Sequence, residues 1–405
     1  MRIGGMILGV VAVCFAAQAA EPEWVDLTPG ADLAGWRVIG GEWTIENGEV
    51  VGRAAPGQVA FLVTEAAYAD FELEVEFQTP RPCNGGVQFR GHELPETPIP
   101  PDVAVEDLEQ EVYGYQANVE TRKKEGTGSL VDEHGRGWLA EPKPAAQDAV
   151  DPTGWNTLSV WAQEDKIWIR VNGETAVKGR DAKFTKGFLG LQVLGLEGDA
   201  PTEIRYRNLR FKDYGRVGTW RALFDGASLD GWKEWGSEKW EVIDGAISGT
   251  RGPKSSEGYL ATVETWKDFR VRGTFKMLGE GNYGLFYHST IKLRDDGYPL
   301  ISGLQGEVAP GRPGPTGWVY ESYKRGWLVK PDPASSVAYA LRSGDWNEIE
   351  IECVGNRIRT WVNGASVLDL VDEGQQLFEG SFALQLHTGE GAGILWKDLY
   401  AKEAD

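Results

Sequence analysis

The chain has 405 residues, with 61 acidic against 41 basic side chains and a formal net charge of −20. That balance excludes a phosphate-binding surface, so nucleic acid is not expected as a partner. The length exceeds what one core usually organises, and 53 glycines with 17 tryptophans, but little helical periodicity, favour short strands joined by tight turns.

In chain order, Met1-Arg2 is a minimal positive start and Ile3 to Ala17 is apolar. Ala17-Gln18-Ala19 supplies an A-x-A cleavage pattern before the polar Glu21-Pro22-Glu23. Residues 1–20 therefore read as a secretory signal peptide, too short for a permanent span. Secretion or a periplasmic location is expected. Lipidation at Cys14 is the weaker alternative, because Val13 is an unusual residue before such a site. No later segment is apolar for long enough to span, so no transmembrane segment is expected. Cys83 and Cys353 remain in the mature chain and fall in different halves, so both are expected as free, buried thiols.

Phe71-Glu72-Leu73-Glu74-Val75-Glu76-Phe77 alternates apolar and acidic residues, the pattern of a half-buried strand. Phe269-Arg270-Val271-Arg272-Gly273-Thr274-Phe275 does the same with basic residues. Asn47-Gly48, Asn172-Gly173, Asp244-Gly245 and Asn363-Gly364 each mark a two-residue hairpin turn. No amphipathic helix longer than two turns is expected.

These sightings come in pairs. Leu33-Ala34-Gly35-Trp36 recurs as Leu229-Asp230-Gly231-Trp232, and Trp155-Asn156 as Trp346-Asn347. Gln116, Gly128 and Arg136 are answered by Gln305, Gly317 and Arg325 at one constant spacing, so no insertion separates them. Gly190-Leu191-Gln192 is answered by Ala383-Leu384-Gln385. The chain therefore divides into one copy over 24–213 and a second over 220–402, joined near 214–219. Each copy has the proportions of a two-sheet jelly roll, with a concave outer face as the default ligand site.

The repeated blocks resemble the 3-keto-disaccharide hydrolase domain family. Copy one carries Gly86-Val87-Gln88-Phe89-Arg90, Gly114-Tyr115-Gln116-Ala117-Asn118 and the loop from Thr127-Gly128 through Asp132-Glu133 to Arg136-Gly137-Trp138-Leu139. Copy two carries Gln305, Glu307, Thr316-Gly317, Tyr320-Glu321, Arg325-Gly326-Trp327-Leu328 and Leu384-Gln385-Leu386-His387. The resemblance implies an all-β protein of two tandem concanavalin A-like jelly-roll β-sandwiches. It also implies an enzyme that cleaves glycosides oxidised at sugar carbon 3. Copy one departs from the pattern at Asn118, Val131 and Leu194, and copy two at Tyr287-His288 and Ser322. Copy two keeps Glu307 and His387 together and is the expected active copy.

A ketone at carbon 3 acidifies the hydrogen on carbon 2, so a base can form an enediolate that expels the aglycone from carbon 1 before water adds. Such a route needs a base, an acid and a stabiliser for the enediolate oxygen. The resemblance assigns His387 and Glu307 as base and acid, or both as ligands of one divalent metal ion, the single cofactor considered. Arg325 would face the oxyanion. Gln305, Gln385, Glu321, His288, Trp327, Arg90, Gln116, Asp132 and Arg136 would contact an oxidised-sugar ligand. The bland readings stand beside these: Arg325 and Arg136 as loop pins, His288 as an exposed strand end, and Trp36, Trp232, Trp155 and Trp346 as core. Trp138 and Trp327 are expected to pack in the core, with stacking on a pyranose as the alternative. The rival class is a non-catalytic carbohydrate-binding sandwich, since folds of this type serve both ends. A protease or esterase lacks a nucleophile elbow.

Overall fold

The computed structural model describes residues 22–93, 112–123, 126–133, 135–198, 200–216, 218–252, 257–311, 314–332, 341–387 and 391–404. The expected signal peptide, Cys14 included, lies outside the described residues. No helix among those described is long and apolar enough to cross a membrane.

Four antiparallel sheets stack as two sandwiches. In the first, an eight-stranded sheet runs Glu42–Glu46, Glu49–Ala54, Thr202–Gly215, Asp70–Gln78, Asn156–Gln163, Lys166–Val171, Glu174–Arg180, with Val25–Asp26 beside Thr202–Gly215. Its seven-stranded partner runs Trp36–Ile39, Val59–Thr64, Phe188–Leu194, Asn84–Glu93, Val112–Glu120, Leu130–Glu133, Gly137–Ala140. The second sandwich repeats both orders strand for strand, from Lys239–Ile243 to Ala365–Val371 and from Trp232–Trp235 to Gly326–Trp327. This is the all-β, concanavalin A-like jelly roll in two copies. The only helix among the described residues is Pro144–Asp148.

Local chemistry explains the strands. Phe71, Leu73, Val75 and Phe77 are buried against the facing sheet, while Glu74 and Glu76 meet Arg210 and Arg207 outside. All four expected hairpins turn where Asn or Asp and the following Gly take positive φ, from Asn47 at 54° and Gly48 at 82° to Asn363 at 50° and Gly364 at 87°. Cys83 and Cys353 are free and buried, and burial pushes each thiol up to about 12. Of the four tryptophans expected in the core, only Trp36 is fully buried. Trp155 and Trp346 are half-covered on an outer face, under Arg207 at 4.0 Å and Lys397 at 4.4 Å. Trp232 is also half-buried, its Nε1 donating to Leu223 O at 2.7 Å.

The copies are stitched together. Thr185 N donates to Gly364 O, and Ser366 N to Lys183 O, each at 2.7 Å. Trp361 Nε1 donates to Ala182 O at 2.7 Å, and Val362 and Ala365 join the core cluster of the first sandwich. Beside them Arg216 meets Glu348 at 2.5 Å and Glu350 at 2.6 Å, with Arg270 also on Glu350 and Lys186 on Glu348. Burial works to raise the Glu348 carboxyl, but Arg216, Lys186 and Arg272 outweigh it and hold the group at about 2.

Removing one member of a buried ion cluster strands its partners in low dielectric. Arg216→Ala is therefore expected to lower the unfolding free energy of the full chain by about 3 kcal/mol in urea denaturation at neutral pH. Because the Glu348 pKa is depressed, its stabilisation is present above the ordinary carboxyl range and lost as pH falls toward 2. That acid-side loss should shrink in the variant. A stability equal to wild type would show that the cluster contributes nothing.

Candidate functional site

Alternation along the second copy's seven-stranded sheet decides what its outer face presents. Leu260, Leu285, Leu304 and Leu384 belong to the core, so their neighbours Tyr259, Gly284, Gln305 and Gln385 face outward. Register aligns Tyr259, Gln385, Gly284 and Glu307 in one row across four strands. The next row is Ala261, Ala383, Phe286, Gln305, Tyr320 and Trp327.

Gly284 sits at the centre of this face. A Cβ there would come within 2.6 Å of the Gln305 amide, so the bare glycine lets that amide lie flat across the strand. From there Gln305 Nε2 donates to Gln385 Oε1 at 2.8 Å and to Glu307 Oε2 at 3.0 Å. Gln385 Nε2 donates to Glu257 Oε2 at 3.3 Å, and the Tyr298 and Tyr323 hydroxyls donate to Glu257 Oε1 at 2.8 and 2.5 Å. His387 Nε2 lies 3.6 Å from Glu257 Oε2. Asn282 links the other side: its Nδ2 donates to Glu307 Oε1, and its carbonyl accepts from His387 N at 2.9 Å. Glu307 and His387 thus share a face but stand two strands apart, roughly 10 Å between backbones.

Burial pushes the Glu307 carboxyl up to about 8, against the opposing donation from Asn282. A group with that pKa is mostly a neutral acid at pH 7 and can give up a proton. Burial, and then the Glu257 carboxylate, raise the Tyr259 and Tyr323 phenols, which stay protonated donors. A metal fits poorly. Glu307 already accepts two amide hydrogen bonds, and among the described residues no three His, Cys, Asp or Glu side chains converge to hold an ion.

Of the residues expected from sequence, Gln305, Glu307, Gln385 and His387 come together, with Trp327 at the sheet edge against Tyr320 at 5.2 Å. Others do not join them. Glu321 pairs with Leu304 and so faces the core, where Arg325 holds it. Arg325 also binds Asp372 at 2.7 and 2.8 Å, clasping the end of the seven-stranded sheet to the strand Ala365–Val371 of the eight-stranded one. Arg136 repeats the clasp on Asp132 at 2.6 Å and on Asp181 at 2.8 and 2.9 Å. Glu321, Arg325, Asp132 and Arg136 therefore tie sheets together and do not line the concave face.

Arg90 and His288 are turned inward by equivalent bulges, each at φ 47°. Arg90 is 0% exposed and donates to the carbonyls of Ala69, Glu164 and Phe184, with Asp70 at 3.2 Å. His288 is 1% exposed, not the open strand end expected, and its Nε2 meets Lys267 O at 2.7 Å. Gln116 lies on the corresponding face of the first copy, beside Asn118. Trp138, expected in the core, is 56% exposed.

Sequence reasoning missed Glu257, Tyr259, Asn282, Tyr298 and Tyr323. A signal existed for the first two: at the matching register the first copy has Val59 and Phe61, so the comparison marks Glu257 and Tyr259 as polar gains of the second copy.

The 3-keto-alpha-glucoside-1,2-lyase-like domain family matches residues 23–212 and again 219–402. No curated protein matches the chain. Among solved structures, the Bacillus subtilis carbohydrate-binding module CBM66 is 22% identical, over 44% of this chain and 96% of its own, with a TM-score of 0.34. A Bacillus subtilis protein of unknown function with a galectin-like fold is 15% identical, over 48% and 96%, with a TM-score of 0.36. A Parabacteroides distasonis protein known under a provisional glycosyl hydrolase name is 19% identical, over 46% and 94%, with a TM-score of 0.33. At these identities and scores the likenesses bear on neither activity nor ligand.

The raised pKa of Glu307 has a stability signature. Its folded value lies above its unfolded one, so its contribution is complete below pH 4.5 and lost as pH rises through about 8. Glu307→Gln stays neutral throughout. Relative to wild type, the variant should gain stability between pH 5 and pH 9 in urea titrations; a pH-independent difference would place the Glu307 pKa in the ordinary range.

Proposed function

The chain belongs to the 3-keto-alpha-glucoside-1,2-lyase-like domain family in both of its copies, and on that premise we propose that the second copy cleaves a glycoside oxidised at carbon 3. The observation that carries this reading is the pairing of a protonatable acid, Glu307, with a carboxylate-backed imidazole, His387–Glu257, on one concave face. At the matching positions the first copy has Asn118, Leu194 and Val59, none of which exchanges a proton near neutral pH. Read with residues 1–20 as a leader, the enzyme acts outside the cytoplasm.

His387 takes the proton from carbon 2, and Glu257 faces the imidazolium that results. The Tyr259 hydroxyl, which has no hydrogen-bond partner among the described residues, meets the enediolate oxygen, and the Gln305 and Gln385 amides give up their bond to each other to hold the sugar hydroxyls. Glu307 delivers its proton to the glycosidic oxygen as the bond to carbon 1 breaks. Water then adds to carbon 1 while carbon 2 regains a proton. No step calls on Arg325, whose guanidinium is engaged by Glu321 and Asp372.

Incubation of the mature protein with a 3-keto-glucoside should release the aglycone, and in deuterium oxide the carbon 2 hydrogen should exchange. His387→Ala is expected to lower turnover by roughly 100-fold or more with an unchanged melting temperature. Turnover should also decline as pH rises through about 8, where Glu307 loses its proton, and Glu307→Gln should remove that limb along with most of the activity. Saturable binding of the 3-keto-glucoside without any release would assign the second copy to the non-catalytic class.

A further inference from the structure

The first copy keeps the same concave geometry but lines it with amides. Gln88, Gln116 and the end-strand Trp138 share one row through Val131, and Gln192, Gly86 and Asn118 share the next. Gly86 repeats the glycine device, since a Cβ there would come within 2.9 Å of Gln116 Cδ. What differs is how well the amides are satisfied. In the second copy Gln305 and Gln385 bond to each other and to carboxylates. In the first, Gln88 is 0% exposed and neither its Nε2 nor its Oε1 has a partner among the described residues; Gln116 Oε1 and Gln192 Oε1 are likewise unpaired. Buried amides normally find partners, because each orphaned atom costs its desolvation. Three glutamines with unused capacity on one face form a floor prepared for a ligand rich in donors and acceptors.

The wall beside that floor supports the same reading. Asn118 Nδ2 donates to Gly126 O at 3.3 Å, and Gly126, Glu120 and the exposed Trp138 line a groove of about 770 Å³ that continues to Pro142 and Pro144. An open indole beside an amide floor matches the two surfaces of a pyranose, an apolar C–H face and a rim of hydroxyls. Charge narrows the class. Glu120, Glu141 and Asp148 line the groove against the one ammonium of Lys123, and although Arg122 pairs with Glu120 at 2.5 Å the balance stays acidic and disfavours an acidic sugar; beside the floor, Glu133 accepts from Gln192 at 2.9 Å.

We propose that the first copy is a binding site for an uncharged pyranoside, held by Gln88, Gln116, Asn118 and Gln192 and flanked by Trp138. The site performs no chemistry. It acts independently of the acid–base set in the second copy.

The test follows the Trp138 indole N–H resonance in the full-length protein, assigned by its disappearance in Trp138→Phe. The probes are methyl α-glucopyranoside, methyl β-galactopyranoside and methyl α-mannopyranoside, each taken to about 100 mM so that dissociation constants well above 1 mM register. At least one should shift the resonance saturably. Gln116→Ala and the milder Gln116→Asn should weaken that binding about tenfold, the worth of one or two hydrogen bonds, whereas Gln305→Ala should leave it unchanged. Absence of a saturable shift with all three probes would overturn the proposal, and the wild-type titration decides this even where a variant folds poorly. So would tighter binding of methyl glucuronide than of the glucoside, or equal loss in Gln305→Ala. Failure of 3-keto-glucoside cleavage in the second copy would leave this result untouched.

Discussion

The concave faces depend on a side chain that is missing. A sheet carries one side chain per residue on alternating faces, and a pleated row of them normally leaves no room for a long amide to lie across a strand. Gly284 and Gly86 open that room, and Gln305 and Gln116 occupy it. Each amide then becomes a bar lying parallel to the sheet, and whatever it touches becomes part of one polar surface. In the second copy the bar touches Glu307 and Gln385. In the first it meets Asn118. The difference between an ionisable face and a neutral one is thus a matter of which side chains surround a conserved geometry within the molecule.

The two sheets of each sandwich are held in register by a second device, the arginine clasp. Arg325 spans from Glu321, four residues earlier on its own edge, to Asp372 on the opposing sheet, and Arg136 does the same with Asp132 and Asp181. A guanidinium can serve two carboxylates at once only if both spacings are kept. That requirement accounts for the uninterrupted stretch shared by the two halves from Gln116 to Arg136 and from Gln305 to Arg325. The strongest repeat in the chain records a mechanical fastening more than a reaction.

Much of this was legible beforehand, and the failures have physical reasons. Period-two patterns located the half-buried strands, and Asn-Gly and Asp-Gly pairs located the hairpins, because both signals are local. Gln385 and His387 were placed on one face by counting two residues along a strand. Counting fails at a bulge, where one extra residue reverses the facing of everything beyond it. Arg90 and His288 sit at such points and turn into the protein. Arg325 and Glu321 misled because a conspicuous charge pattern does not say whether its partner is a ligand or another carboxylate. Glu257 shows only as a polar residue where the first copy has Val59, and Asn282 carries no signal; strand pairing brings them beside His387 and Glu307. Trp138 departs from its expected place because an edge strand leaves its ring with no neighbour on one side.

The stitching between the copies has a further consequence. Arg216 belongs to the short connection between the halves, yet it is buried against Glu348 and Glu350, and strand-like bonding at Phe184 and Ala365 locks the neighbouring backbone. The connection therefore works as a bolt instead of a tether. Two pockets on a floppy tether sample a range of separations, and a second contact gains only the local concentration the tether permits. Two pockets on a bolted frame have one separation. Any ligand that reached both would have to match that one span, because a frame fixed by Arg216, Glu348 and Glu350 cannot adjust to it.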